Sequence, residues 1–143
     1  MRPDQNLFAR DVETGLVVAN RVTVATSHAD RAIGLLGRSH LEPGEALWIA
    51  PCRGVHTWFM RFSIDILAMD KDGMVVDAVS TLKPWRMRLP RHGAFSVLEL
   101  PAGTLLDART TLGHRITIQG GDPLLQPIAH RGTAAIPPDR IEM

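Results

Sequence analysis

Cysteine, excess charge of one sign and long apolar runs are all scarce in this 143-residue chain. The single cysteine, Cys52, excludes an intramolecular disulfide. Sixteen basic and fifteen acidic residues give a formal net charge of +1, which argues against a strongly basic nucleic-acid-binding surface. No run approaches the roughly 18 apolar residues of a membrane span, and no apolar signal-peptide core follows the N-terminus. We therefore expect a soluble, cytoplasmic protein with no nucleic-acid or membrane partner and an undetermined oligomeric state.

The length favours one domain, because a chain of this size buries roughly 70% of its unfolded surface. The regular pattern of apolar residues ends near residue 119. Four prolines, alternating with glycine, alanine and charged residues, follow in the last 24 residues. We therefore predict one β-rich domain over residues 1–119 and a C-terminal tail over 120–143, either disordered or packed along the domain.

Short β-prone runs separated by turn residues predict a mainly β fold. Helical periodicity appears in two short places, residues 27–36 after the cap residue Ser27 and residues 105–111. Asp70-Lys71-Asp72-Gly73 is typical of a plain hairpin turn, since it lacks the full ligand set of a calcium loop. The predicted strands are residues 7–11, 16–18, 46–49, 55–59, 63–70, 74–82, 95–100 and 114–118.

The stretch from Cys52 to Asp65 is an apolar segment that contains several side chains able to take part in binding or catalysis. Strand alternation over residues 55–59 would place His56 and Trp58 on one face. His56 is then either a hydrogen-bonded core residue or part of the lining of a pocket. Asp65, between two isoleucines, requires a partner if it is buried, and His56, Arg38 and Arg61 are the candidates.

Glu99, between Leu98 and Leu100, raises the same question as Asp65. One interpretation is structural, with each carboxylate tying a loop or pairing with an arginine such as Arg38 or Arg61. The other places Asp65 and Glu99 in one cleft, where mutual repulsion and desolvation would favour acid or base chemistry.

Two further kinds of chemistry are disfavoured. Thiol catalysis by Cys52, His56 and Asp65 lacks an evident helix N-terminus to activate the thiol. A metal site at Cys52 and His56 lacks a second pair of ligands, and a mixed nitrogen and oxygen site at His56, Asp65 and Glu99 is the alternative left open. We predict no metal and no cofactor.

Residues 83–94 form an irregular segment that contains Trp85, Arg86 and Arg88 and carries no acidic residue. Such a segment is commonly a solvated loop, but it also suits a lid or binding loop. Its arginines would close over an anionic or hydroxyl-rich ligand while Trp85 stacks on it. Single-stranded nucleic acid uses the same residue types, although the near-neutral net charge argues against it.

Four motifs in this order and spacing resemble an uncharacterised bacterial and archaeal group, domain of unknown function family 192, over residues 16–118. The motifs are residues 31–38 (RAIGLLGR), 56–60 (HTWFM), 64–66 (IDI) and 97–103 (VLELPAG). The resemblance implies a small antiparallel β sandwich or barrel of jelly-roll type with one or two short helices, and no established activity. The chain departs from the group at His114, where members tend to have aspartate, and at Leu36, where they tend to have methionine.

The leading functional hypothesis is a domain that binds a small polar or carbohydrate-like ligand. Its cleft would be lined by His56, Trp58, Asp65 and Glu99, and flanked by Arg38, Trp85, Arg86 and Arg88. One alternative is a hydrolase or lyase that uses Asp65 and Glu99 as a carboxylate pair. The other is a structural or partner-binding module, which an exposed apolar patch would indicate.

Overall fold

A computed structural model describes residues 6–26, 35, 38–89 and 92–122. These residues form strands β1 to β9 and one short helix, α1. In chain order the elements are β1 (Leu7–Asp11), β2 (Val17–Ala25), β3 (Glu45–Ile49), β4 (Val55–His56), β5 (Ile64–Met69), β6 (Val75–Leu82), β7 (Met87–Arg88), β8 (Ser96–Pro101), α1 (Thr104–Ala108) and β9 (Ile116–Gly120).

Seven of the strands form one sheet in the order β6-β5-β8-β3-β2-β1-β9, and β4 pairs with β7 in a separate two-stranded sheet. The expectation of a mainly β fold is confirmed. The expectation of purely antiparallel pairing is wrong, since β2 and β3 run parallel from Arg21 opposite Glu45 to Ala25 opposite Ile49. The fold is therefore a curled, mixed sheet with one short helix.

The large sheet curls until its two ends meet. The Val75 amide donates to the His114 carbonyl at 2.8 Å, and the Ile116 amide donates to the Gly73 carbonyl at 2.9 Å. Gly73 has a φ of +86°, and a Cβ atom there would collide with the Ile116 carbonyl oxygen. A glycine is required at this turn because any side chain would push the two ends apart.

Alternation along the central strands creates two apolar layers, one on each face of the sheet. Leu67, Leu98 and Leu100 belong to one layer, together with residues of β2 and α1. Ile64, Ile66 and Val97 belong to the other, together with Val55 and Met60. All six residues of β5 are buried, so a polar residue in this strand lies among apolar neighbours.

Most predicted strands are present, with shifted ends. The predicted strand over residues 55–59 is wrong beyond His56, because residues 58–59 form a turn. The helix predicted at 105–111 spans Thr104–Ala108, and the strand predicted at 114–118 is Ile116–Gly120. Of the helix predicted at 27–36, Leu35 alone is among the described residues, and it is helical. The predicted tail lies outside them from residue 123.

Within the described parts of the chain, no helix is long and apolar enough to cross a membrane.

Candidate functional site

Thr57 joins the loop that follows β4 to the loop that precedes β7. It is fully buried. Its hydroxyl donates to the carbonyl of Lys83 and accepts a 2.9 Å hydrogen bond from the Arg86 amide. Its own amide donates to the Arg86 carbonyl at 2.8 Å, and its carbonyl accepts from the Trp85 amide at 3.0 Å. One buried threonine therefore fixes residues 83–86 against residues 57–60.

Each of these loops contains an aromatic residue with a left-handed backbone. Phe59 has a φ of 67° and Trp85 a φ of 62°. This conformation is rare for bulky residues and costs about 1–3 kcal/mol at each position. The two rings contact each other, with centroids 4.8 Å apart and planes tilted by 58°. The left-handed turns thus bring together two aromatic rings from separate loops.

The rings are exposed although they are large and apolar. Phe59 is 67% exposed, Trp85 58% and Trp58 41%. The Trp58 ring stacks on His56, with centroids 4.7 Å apart. We call Trp58, Phe59 and Trp85 the aromatic platform. Met87 and Leu89, on the strand that pairs with β4 and just after it, are exposed as well.

The charged residues beside the aromatic platform are basic. Arg61, Lys83 and Arg86 are exposed, and no acidic residue occurs between positions 53 and 64 or between 78 and 98. Arg88 differs, because its guanidinium makes two hydrogen bonds to the buried carboxylate of Asp77, at 2.7 and 2.8 Å. The hydrogen bond to Asp77 holds the pKa of Arg88 above its ordinary value. Arg88 anchors the two-stranded sheet to β6.

Asp65 has a structural role. Its carboxylate is fully buried and accepts hydrogen bonds from three backbone amides: Thr81 at 2.8 Å, Gly103 at 3.1 Å and Leu105 at 2.9 Å. The prediction that Asp65 needs a partner is confirmed, but the partners are amides rather than His56 or an arginine. The carboxylate caps the start of α1 from a neighbouring strand and ties it to the end of β6.

Asp65 and Glu99 lie on opposite faces of the sheet. In the β5–β8 register Asp65 is opposite Leu100, whereas Glu99 is opposite Ile66. Paired residues share a face and successive residues alternate, so one carboxylate lies in each apolar layer. The predicted cleft containing both is therefore wrong. The hydrolase or lyase alternative is excluded as well, since it requires the two carboxylates in one pocket.

Arg38 lies apart from the aromatic platform. Its guanidinium makes two hydrogen bonds to Glu45 at the start of β3, at 2.9 and 2.6 Å. The hydrogen bond from Arg38 lowers the pKa of Glu45, and the same bond raises the pKa of Arg38. Arg38 thus links the segment before β3 to Glu45, the first residue of that strand. The predicted position of Arg38 beside a ligand cleft is not observed.

The disfavoured thiol chemistry gains no support, because the Cys52 thiol donates to the Gly54 carbonyl at 3.1 Å and the Asp65 carboxylate is occupied by amides. Asp11, Glu13 and His114 each place one metal-ligating atom within 4.8 Å of the others. These atoms already serve the fold: His114 Nδ1 lies 2.8 Å from Asp11 Oδ2, and Glu13 accepts from the Arg115 amide. The cluster ties β1 to the start of β9.

Two grooves lie elsewhere on the surface. One, of about 480 Å³, is lined by residues 16–20, 43–44 and part of 101–108. The other, of about 390 Å³, is lined by Trp48, the turn 69–73 and parts of β8 and β9. None of the eight predicted site residues, all of which are described, lines either groove.

The structure thus brings together part of the predicted site. His56, Trp58, Trp85, Arg86 and Arg88 all lie in or beside the β4–β7 pair. Asp65, Glu99 and Arg38 lie elsewhere. The sequence reasoning missed Thr57 and Phe59. The adjacent pair Trp58-Phe59 was the available signal, because two neighbouring aromatic residues cannot both face the same core in a strand.

The curled mixed sheet, the short helix capped by Asp65 and the exposed aromatic rings define a small β-rich domain with an exposed aromatic surface. The chain belongs to the DUF192 family (Uncharacterized ACR), whose model matches residues 10–118. The match begins six residues before the segment predicted from the motifs.

The curated relatives are archaeal proteins of the UPF0127 group. A UPF0127 protein of Pyrococcus abyssi is 34% identical over 102 residues, which cover 67% of this chain and 84% of the relative. A UPF0127 protein of Pyrococcus horikoshii is 36% identical over 101 residues, which cover 66% of this chain and 84% of the relative. Their names state no activity.

Two solved structures share the fold, each with a TM-score of 0.65 and 20% identity. One is a protein of unknown function from Novosphingobium aromaticivorans, with 78% of this chain and 82% of that chain covered. The other is described as a putative transcription regulator from Sinorhizobium meliloti, with 81% and 95% covered. At this identity the likeness concerns the fold alone.

Proposed function

We propose that this protein is a ligand-binding domain whose aromatic platform holds a polar, carbohydrate-like ring by stacking. One observation carries the proposal: Phe59 and Trp85 are exposed aromatic residues at positive φ, with their rings in contact. Left-handed positions favour glycine. Large exposed rings at two such positions are costly for stability alone, and backbone strain of this kind clusters at binding sites.

The chemistry of the surface suits a ring that is apolar on its faces and polar at its edge. Exposed aromatic rings offer flat apolar area at low cost in side-chain entropy. The guanidinium and ammonium groups of Arg61, Lys83 and Arg86 would hydrogen-bond to the edge of the ligand. The contacts of Thr57 fix the loops before the ligand arrives, which reduces the entropic cost of binding.

The proposal keeps the leading sequence hypothesis of a polar or carbohydrate-like ligand and moves its location. The ligand would lie on the aromatic platform, with His56 supporting Trp58 from behind through the stacked pair. Asp65 and Glu99 would not touch it.

Isothermal titration calorimetry of a panel of neutral and acidic oligosaccharides tests this proposal. We expect at least one saccharide to bind, and we expect Phe59→Ala and Trp85→Ala each to weaken its binding by about tenfold or more, because each removes a stacking surface. Leu106→Ala is the matched control, since Leu106 is 80% exposed on α1 and its truncation should leave the affinity unchanged.

The melting curve of each variant, followed by circular dichroism, separates loss of binding from loss of fold. A panel without any binder would overturn the proposal. So would variants of the aromatic platform that bind as the wild type does. A complete absence of saccharide binding would favour the partner-binding alternative, for which exposed Met87 and Leu89 are the sign.

A further inference from the structure

We infer that the ligand of the aromatic platform is an acidic saccharide, one that carries carboxylate or sulfate groups on its rings. This inference rests on the proposed function and adds the chemical class of the ligand. The observation that carries it is the hydrogen-bonding character of the surface, in which the exposed charged side chains and the exposed indoles are donors.

Arginine, lysine and tryptophan side chains donate hydrogen bonds and accept none. Lys83 and Arg86 belong to the loop that Thr57 holds, and Arg61 lies two residues after Phe59. The exposed indoles of Trp58 and Trp85 add N–H donors. A neutral sugar hydroxyl both donates and accepts a hydrogen bond. These donors would bond to its oxygen but would offer no acceptor to its proton. Carboxylate and sulfate oxygens accept only, so they suit these donors better than a neutral hydroxyl does.

The charge of the neighbourhood agrees with the same conclusion. No acidic residue occurs from position 53 to 64 or from 78 to 98. The carboxylate nearest in sequence to Arg61 is Asp65, which is buried and accepts from backbone amides. The one nearest to Lys83 is Asp77, which is buried and held by Arg88 through two hydrogen bonds. The cations beside the aromatic platform therefore form a positive surface on a chain of nearly balanced charge. The formal net charge of +1 conceals this local excess.

A glycan array that contains neutral, uronate-containing and sulfated saccharides tests the inference with the full-length protein. We expect the bound glycans to be acidic. For the strongest uronate ligand, the methyl ester of the same oligosaccharide is the matched probe, because it keeps the ring and removes the charge. The ester should bind at least about tenfold more weakly, since hydrogen bonds to charged groups exceed those to neutral ones.

Lys83→Gln and Arg86→Gln should each reduce affinity for the acid about tenfold and leave affinity for the ester nearly unchanged. Arg115→Gln is the matched control, because Arg115 is exposed near β9. Raising the salt concentration from about 50 to about 500 mM should weaken binding of the acidic saccharide far more than binding of its methyl ester.

The outcomes are distinct. Binding of neutral glycans alone, or equal affinity for acid and ester, would overturn the inference and leave the proposed function standing. An array without any bound glycan would overturn both. Single-stranded oligothymidylate serves as a further probe, and affinity for it above that for every acidic glycan would replace the saccharide by single-stranded nucleic acid.

Discussion

Replacing Asp65 should destabilise the fold strongly. Its carboxylate accepts hydrogen bonds from the backbone amides of Thr81, Gly103 and Leu105. Leu105 is buried, Gly103 is half-buried and Thr81 is exposed. A buried donor left without a partner costs about 1–3 kcal/mol. We assign about 2 kcal/mol to the Leu105 amide and about 1 kcal/mol to each of the other two, which water can reach more easily. Asp65→Ala should therefore cost about 4 kcal/mol, a large share of the 5–15 kcal/mol typical of a domain.

Asp65→Asn should lose only part of this free energy, because it removes one set of hydrogen bonds and keeps the other. The carboxamide oxygen would keep the bonds on the α1 side, at Gly103 and Leu105, while its NH₂ group would face the donating amide of Thr81. We expect a loss of about 2 kcal/mol. Asp72→Ala is the matched control, because Asp72 is exposed in the turn before β6 and should change stability by less than about 0.5 kcal/mol.

Urea denaturation followed by circular dichroism measures all three variants, with the m-value as a check that the unfolded surface is unchanged. The expected order of stability is wild type and Asp72→Ala, then Asp65→Asn, then Asp65→Ala. If Asp65→Ala cost less than about 1 kcal/mol and instead abolished saccharide binding, Asp65 would be a ligand residue and the structural assignment would be refuted.

Two other predictions concern the remaining polar contacts. Thr57→Val keeps the shape of the side chain but removes the hydroxyl bonds to Lys83 and Arg86. It should lower the free energy of unfolding in urea by about 2 kcal/mol and also weaken saccharide binding. A variant that loses stability but binds like the wild type would show that binding does not depend on these hydrogen bonds. Arg38→Gln should cost only about 0.5 kcal/mol at neutral pH, because the ion pair with Glu45 is partly exposed. The pKa of Glu45 is lower in the folded state, so this contribution is present above the pKa of unfolded Glu45 and disappears as the pH falls through the folded value. Denaturation curves at successively lower pH should therefore show the difference between wild type and Arg38→Gln shrinking once the pH falls below the ordinary range of a glutamate, and a difference that does not change with pH would contradict the assignment.

Local patterns predicted much of the fold. The hairpin turn at residues 70–73 and the apolar runs of β5 and β8 depend on nearest neighbours in the chain. The left-handed turn at Phe59 could not be predicted in this way, because Val55 to Phe59 has the composition of a strand. What ends β4 is Thr57, whose partners lie about 26 to 29 residues further along the chain.

The candidate site shows the same limit. Burial of Asp65 could be predicted from its isoleucine neighbours, and so could its need for partners. The identity of those partners could not, because backbone amides from Gly103 and Leu105 carry no signal in the sequence. The separation of Asp65 from Glu99 depends on the β5–β8 register, and a shift of one residue would place them on the same face.

The most direct test of the account is a map of the ligand contacts. In an amide nuclear magnetic resonance titration with the strongest acidic saccharide, we expect the shifted resonances to come from residues 57–61 and 83–89. Shifts confined to the groove between β2 and α1, at residues 16–20 and 101–108, would place the ligand away from the aromatic platform and contradict the proposed function.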